Sequence, residues 1–107
     1  MSDKELLKIT SSFTKGVMGT REPTGMCFMV CSSLQGYLSI CDLDVDLVEG
    51  EIKVGKDVYN HFWLRLPDGR ILDPTASQFN VLNGVEMPKI YLGDKPEWYK
   101  LVKNKKK

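Results

Sequence analysis

The chain has few residues of the two types that most often carry thiol chemistry: three cysteines, Cys27, Cys31 and Cys41, and one histidine, His61, among 107 residues. An odd number of cysteines excludes a framework in which every thiol is paired within the chain, and so favours free thiols. A glycine-rich loop followed by lysine and a hydroxyl residue is missing, which argues against phosphate chemistry. Any cysteine–histidine enzyme built on this chain must therefore use His61 as its base.

Long apolar runs are also missing. No stretch reaches the roughly 20 apolar residues that a membrane-spanning helix requires, so we expect no membrane span. The first residues include the charged Asp3, Lys4 and Glu5, where a signal peptide would have its apolar segment. We therefore expect a cytoplasmic protein with reduced cysteines.

The composition is that of an ordinary globular protein, with 42% hydrophobic and 27% charged residues. The length suits one hydrophobic core, so we predict a single domain over residues 1–102 and a basic tail over 103–107. That tail holds four of the 15 basic residues, which leaves 11 basic against 14 acidic residues before it. Such a run is typical of a solvated terminus, and we do not expect a nucleic-acid partner.

The first helix has a recognisable beginning. Ser2 and Glu5 form the capping-box pattern, and apolar residues recur after them at helical spacing: Leu6, Ile9, Phe13 and Val17. We predict a helix to about Lys15 that ends near Gly16. Turn-forming residues without an apolar period then predict a loop over 19–25.

A second helix is predicted from Met26 to about Ile40, with Thr24 as its N-cap. Its buried stripe recurs at intervals of four and three residues: Cys27, Cys31, Leu34, Leu38 and Cys41. Cys27 then lies in the first turn, where backbone amides lack helical partners and the positive end of the helix dipole lies.

The second half of the chain favours short strands rich in β-branched and aromatic residues. We predict strands near Val48–Val54, Val58–Leu66 and Arg70–Asp73, and a weaker one at Lys89–Leu92. Helices followed by antiparallel strands indicate an α+β fold, with the central helix packed on one face of a small antiparallel sheet.

The turn after the second strand fixes a register. Pro67 presets the first central position of a type I turn, and Gly69 suits the left-handed conformation that follows. This favours a three-residue loop, in which Leu66 lies opposite Arg70.

With that register His61, Trp63 and Asp73 share one face of the hairpin, because side chains alternate along a strand. The apolar residues share the other face: Phe62, Leu64, Leu66 and Leu72. His61 and Asp73 become diagonal neighbours, about 7–8 Å apart at the backbone, which is close enough for imidazole and carboxylate to form a hydrogen bond.

These positions suit a catalytic triad. A thiol becomes a good nucleophile when a helix N-terminus and an imidazolium favour its thiolate, which predicts Cys27 as nucleophile and His61 as base. A carboxylate such as Asp73 holds the base in one tautomer. Backbone amides at the start of the helix are expected to stabilise an oxyanion.

Three motifs occur in order: Gly25-Met26-Cys27-Phe28 opening a helix, Asn60-His61-Phe62-Trp63-Leu64 on a strand, and Ile71-Leu72-Asp73-Pro74-Thr75 on the next. This arrangement resembles the transglutaminase-like core of the papain-like cysteine enzyme superfamily. The resemblance covers residues 24–79, about half the chain, and the three motifs together are far more specific than any one alone. It implies a papain/transglutaminase-like core.

The resemblance also implies a function. Members of the superfamily include peptidases, protein-glutamine deamidases, transglutaminases and arylamine acetyltransferases, which transfer acyl groups through a thioester. It implies a hydrolase or acyltransferase that acts on carboxamide or ester groups of a protein or peptide substrate, without cofactor or metal. Trp63 would lie beside the site, and both Trp63 and Gln78 would contact substrate.

One departure from the family pattern concerns the oxyanion. Papain-like enzymes often supply a glutamine side chain a few residues before the cysteine, and the loop before Cys27 contains none. Arg21, Thr24, a residue elsewhere or the backbone alone would have to serve. The chain is also little more than the family's core, so we expect a partner chain or an extended substrate to complete the substrate site.

Other interpretations use the same residues. Cys27 could serve only as a small hydrophobic residue in the core, as free cysteines often do. Cys31, one helical turn away, is the second choice of nucleophile. Zinc bound by Cys27, Cys31, Cys41 and His61 would lack the closely paired cysteines of structural zinc sites. A non-catalytic protein-binding module that retains the transglutaminase-like scaffold is the alternative function.

Overall fold

The computed structural model describes residues 2–18, 27–54, 56–79 and 88–101. Within these ranges the chain has an α+β fold of two helices and one five-stranded antiparallel sheet. The elements are α1 (Asp3–Met18), α2 (Cys27–Ile40), β1 (Asp46–Val54), β2 (Asp57–Arg65), β3 (Ile71–Asp73), a short 3-10 helix (Ala76–Phe79), β4 (Tyr91–Gly93) and β5 (Tyr99–Leu101). The predicted loop, with its N-cap Thr24, and the basic tail lie outside the described residues. Neither α1 nor α2 has the length and apolar content that crossing a membrane would require.

Helix α1 begins with the predicted capping box. The backbone amide of Glu5 donates to the Ser2 hydroxyl, and the Glu5 carboxylate accepts from the Ser2 amide, both over 3.1 Å. The predicted end near Gly16 is wrong, because the helix continues to Met18. Gly16 does not adopt the left-handed conformation that ends a helix, so it is accommodated within the last turn.

Helix α2 packs its apolar side against one face of the sheet. The core there contains residues from α1, α2, the strands and the positions next to strand ends: Leu6, Cys31, Leu34, Leu38, Val45, Leu64, Leu66 and Leu72. The helix ends in a Schellman turn, in which Asp42 takes a positive φ of 65° and the Leu43 amide donates to the Leu38 carbonyl over 2.9 Å. Cys41 lies in this turn and is only half-buried, so its predicted place on the buried helical stripe is wrong.

The sheet has the strand order β4-β3-β2-β1-β5. The β2–β3 hairpin has the predicted three-residue loop: the Leu66 amide donates to the Arg70 carbonyl over 2.8 Å, and Gly69 has a φ of 93°. Leu64 pairs with Leu72, which confirms the predicted register. The hairpin therefore presents His61, Trp63 and Asp73 on the face opposite the α2 core.

Strand β5 was absent from the sequence prediction. It pairs with β1, so that Tyr99 lies opposite Ile52, and it adds Tyr99 to a second apolar cluster with Ile52, Trp63 and Ile71. The Trp63 indole lies directly over Gly50, where a Cβ atom would overlap the ring and the Lys100 carbonyl oxygen. Gly50 is thus required for the close approach of β1, β5 and Trp63.

Candidate active site

Cys27 is the first residue of α2, where the backbone N–H groups have no partner within the helix. Its side chain is buried, with the residue 8% exposed. Cys31 lies one turn further along and is fully buried, and its thiol donates to the Phe62 carbonyl over 3.5 Å. Both thiols are free. The N-terminus of α2 therefore lies beside β2 at the position of Phe62.

His61 and Asp73 come from adjacent strands. Nε2 of His61 lies 2.7 Å from Oδ2 of Asp73, and both side chains are completely buried. The β2–β3 register makes them diagonal neighbours: Leu64 pairs with Leu72, so Asp73 falls opposite Trp63, and His61 lies two residues further along β2. Since Asp73 occupies Nε2, the other ring nitrogen, Nδ1, is left to interact with Cys27.

Asp73 receives further hydrogen bonds. Its Oδ1 accepts from the Thr75 amide over 3.0 Å and from the Thr75 hydroxyl over 3.4 Å. Its Oδ2 accepts from the Tyr99 hydroxyl over 2.5 Å as well as from His61. A buried carboxylate with several donors is stabilised in its charged form, as a partner for an imidazolium requires.

Tyr99 is the site residue that the sequence interpretation missed. It lies 26 residues after Asp73 in the chain and reaches the site only because β5 pairs with β1. The run Trp98-Tyr99-Lys100-Leu101-Val102 is aromatic and aliphatic apart from one lysine, and it is a short strand signal that the sequence interpretation did not use. No local pattern relates this tyrosine to Asp73.

The pKa of His61 is raised from 6.5 to about 9. Burial alone would lower this pKa, but hydrogen bonds to Asp73 and Cys27 and the negative charges of both partners outweigh it. At neutral pH the ring is therefore an imidazolium. Asp73 and Cys27 both stabilise the positive charge of this ring.

The pKa of the Cys27 thiol lies below its usual value of 9.0. Burial raises this pKa, but the hydrogen bond and charge of His61, together with the backbone at Phe62, lower it by more. The lowered pKa of Cys27 and the raised pKa of His61 both favour a thiolate–imidazolium pair. Such a pair is the resting state that thiol catalysis requires.

Cys31 has the opposite electrostatics. Burial, the negative charge of Asp73 and that of Cys27 all raise its pKa well above 9.0. A buried thiol without a nearby positive charge is a poor nucleophile. Between the two cysteines on this helix face, the site geometry favours Cys27.

The two residues predicted to contact substrate are Trp63 and Gln78. Trp63 lies beside the site, with its ring centroid 6.1 Å from that of His61 and 5.0 Å from that of Tyr99. It is only 1% exposed and packs within the second apolar cluster, and its contact with substrate stays a prediction. Gln78 belongs to the short 3-10 helix, and its side chain lies outside the described part of the structure.

An exposed apolar surface adjoins the thiol. Phe28 and Met29, which follow Cys27 in the first turn of α2, are 53% and 47% exposed. The Phe28 ring meets that of Phe62 edge to face, with centroids 5.0 Å apart. Large exposed apolar side chains beside one another are typical of binding surfaces.

A metal site does not form from the described residues, since no three histidine, cysteine or carboxylate side chains there are placed to hold an ion. In particular, Cys27, Cys31, Cys41 and His61 do not converge. His61 is instead oriented by Asp73.

Comparison of the chain with protein-family models, with curated proteins and with solved structures finds no match. The resemblance of the three motifs to transglutaminase-like enzymes therefore stays a prediction. What bears on function is the arrangement of Cys27, His61 and Asp73.

Proposed function

We propose that the chain is a thiol-dependent hydrolase or acyltransferase of the transglutaminase-like type, which acts on carboxamide or ester groups of protein or peptide substrates. The observation that carries the proposal is the juxtaposition of three side chains: Cys27 at a helix N-terminus, His61 beside it, and Asp73 bound to His61 over 2.7 Å. The α+β layout, with this helix on an antiparallel sheet and the His–Asp pair on adjacent strands, supports a papain/transglutaminase-like core.

In the first step the Cys27 thiolate attacks the carbonyl carbon of the substrate. A carbon–sulfur bond forms, and the carbonyl electron pair moves to oxygen. The oxyanion then collapses, the carbon–nitrogen or carbon–oxygen bond breaks, and the His61 imidazolium protonates the leaving group. The product is a thioester on Cys27 and a neutral His61.

The second step regenerates the thiolate. Neutral His61 removes a proton from water or from an acceptor amine, which attacks the thioester carbon. The carbon–sulfur bond breaks, the thiolate leaves, and His61 is again an imidazolium beside Asp73. Water as acceptor gives hydrolysis, and an amine gives transfer.

The oxyanion is expected to bind backbone donors. The N–H groups in the first turn of α2, including that of Cys27, have no helical partner, and the helix dipole is positive there. A pair of such donors is a recurring device for stabilising tetrahedral intermediates. The side-chain candidates Arg21 and Thr24 lie outside the described residues.

The surface beside the thiol supports a protein or peptide substrate. Phe28, Met29 and Phe62 offer an apolar area next to Cys27 that can receive an apolar side chain of the substrate. A partner chain that completes the substrate site would also meet this surface.

A direct test uses a protein rich in accessible glutamine, such as unfolded casein, together with a fluorescent primary amine. Wild-type protein should release ammonia or incorporate the amine, and Cys27→Ala should do neither. Ammonia without incorporation identifies hydrolysis, and incorporation identifies transfer. Equal signals from the two proteins would rule out glutamine carboxamide as the substrate.

A second function is a non-catalytic protein-binding module on the same scaffold, and the burial of Cys27, only 8% exposed, favours it. The two functions differ in thiol reactivity. Limiting iodoacetamide at neutral pH, followed by peptide mass spectrometry, should label Cys27 first in an enzyme. A module should show no preference for Cys27 and no loss of labelling in His61→Ala.

A further inference from the structure

We propose that Tyr99 is a positioning residue of the triad: its hydroxyl fixes Oδ2 of Asp73 and takes up part of the negative charge of that oxygen, where His61 donates. This role extends the proposed function and depends on it for its catalytic consequence. Tyr99 lies outside the three sequence motifs, on a strand that the chain adds at the edge of the sheet.

The geometry places two donors on one oxygen. Oδ2 of Asp73 accepts from the Tyr99 hydroxyl over 2.5 Å and from Nε2 of His61 over 2.7 Å. The two donors are themselves in contact, because the Tyr99 ring meets the His61 ring edge to face with centroids 5.9 Å apart. Tyr99 and His61 therefore share the negative charge of one carboxylate oxygen.

The phenol is held rigidly. Tyr99 is 2% exposed, pairs with Ile52 across the β1–β5 ladder and packs against Trp63. Its carbonyl accepts a hydrogen bond from the Lys95 ammonium over 2.7 Å. A donor that is fixed in this way restricts the rotation of Asp73 and so the orientation of His61.

A hydrogen bond to a carboxylate lowers the negative potential that the carboxylate presents to its other partner. His61 must release its proton to the leaving group, so an Asp73 that held the imidazolium too strongly would slow that transfer. Burial and the charge of Asp73 raise the pKa of Tyr99, and the phenol therefore stays protonated and remains a donor.

Within the part of the chain that the structure describes, the other titratable groups near His61 and Asp73 come from α2 and β4. Helix α2 presents Cys27 and Cys31, and β4 presents Tyr91, which lies opposite Asp73. Strand β1 presents the uncharged Gly50 opposite His61. Tyr91 donates its hydroxyl to the Asp94 carbonyl over 2.6 Å rather than to Asp73, so it provides a matched control.

The test is an NMR titration of the imidazole, which is unambiguous because the chain has one histidine. Tyr99→Phe removes only the hydroxyl and should shift the pKa of His61 upward by about one unit, the equivalent of one charge-assisted hydrogen bond. Tyr91→Phe should leave that pKa unchanged. A folded Tyr99→Phe protein whose His61 titrates at the wild-type pKa or lower would overturn the proposal.

A second measurement avoids dependence on the folding of that variant. Difluorotyrosine placed at position 99 keeps the ring and the hydroxyl but is a more acidic, stronger donor, so the pKa of His61 should fall. An unchanged or raised pKa would overturn the proposal. Neither titration needs a substrate, so the two proposals can fail separately. If the catalytic assays fail but the pKa of His61 shifts as expected, the proposed function is rejected and the contact between Tyr99 and Asp73 still sets the pKa of His61.

Discussion

Nε2 of His61 and Oδ2 of Asp73 lie 2.7 Å apart, and neither side chain has any exposed surface. A buried charged pair is costly unless its remaining polar atoms are also satisfied. Asp73 meets this condition through Thr75 and Tyr99. Asp73 therefore stabilises the positive charge of His61, and that charge lowers the pKa of the Cys27 thiol.

Replacing Asp73 with asparagine should lower the pKa of His61 from about 9, because burial then acts against the imidazolium with less opposition. The free energy of unfolding should fall by on the order of 3 kcal/mol, since one partner of a buried pair is lost. NMR titration of the imidazole and urea unfolding measure the two effects. Asp68→Asn, at an exposed aspartate that binds Arg70, is the control and should change stability by less than about 1 kcal/mol. An unaltered His61 titration in Asp73→Asn would refute the electrostatic assignment.

The three cysteines should react with iodoacetamide in a definite order. Cys27 has a lowered pKa and should be alkylated first, whereas Cys31 has a raised pKa and no exposure and should be alkylated last. In His61→Ala the pKa of Cys27 rises, and each unit by which it rises above the pH of the assay lowers the thiolate fraction about tenfold. Peptide mass spectrometry at limiting reagent gives the order directly. Equal labelling of Cys27 and Cys41 in the wild type would contradict the ion pair.

Stability should depend on pH through His61. Its pKa is 6.5 when unperturbed and about 9 in the folded protein, so the folded state binds the extra proton between these values. The stabilisation is complete below about pH 6.5 and is lost as the pH rises through about 9. Cys27 has a lowered pKa and contributes in the opposite sense.

Cys27→Ser separates the two contributions. In this variant the free energy of unfolding should fall as the pH rises above 6.5, while a double variant that also carries His61→Asn should show a flatter profile. Urea unfolding across this range measures both. If the free energy of unfolding of Cys27→Ser increased with pH over this range, the pKa of His61 would not be raised in that variant.

Gly50 and Gly36 should respond oppositely to alanine. A Cβ at Gly50 would overlap the Trp63 ring and the Lys100 carbonyl oxygen, so Gly50→Ala should cost about 1–3 kcal/mol or more. Gly36 is exposed within α2 and has no neighbour within 4 Å of a new Cβ, so Gly36→Ala should stabilise by up to about 1 kcal/mol. Thermal and urea unfolding compare them. A neutral Gly50→Ala would mean that β5 and Trp63 do not pack as described.

The sequence predicted those parts of the site that local chemistry determines. Pro67 and Gly69 specify the hairpin loop, and the loop specifies the register that brings Asp73 to His61. Tyr99 could not be predicted, because its contact with Asp73 depends on a non-local pairing of β5 with β1. The end of α1 was misplaced because a glycine ends a helix only in the left-handed conformation, which Gly16 does not adopt.

Acylation by p-nitrophenyl acetate tests the central claim most directly. Wild-type protein should release one equivalent of p-nitrophenolate in a burst and carry one acetyl group on Cys27, in a thioester that neutral hydroxylamine removes. Cys27→Ala should show no burst, and His61→Ala a much slower one. A wild-type protein that acquires acetyl groups only on lysine, with no hydroxylamine-sensitive acetyl group on Cys27, would contradict the assignment of Cys27 as a catalytic nucleophile.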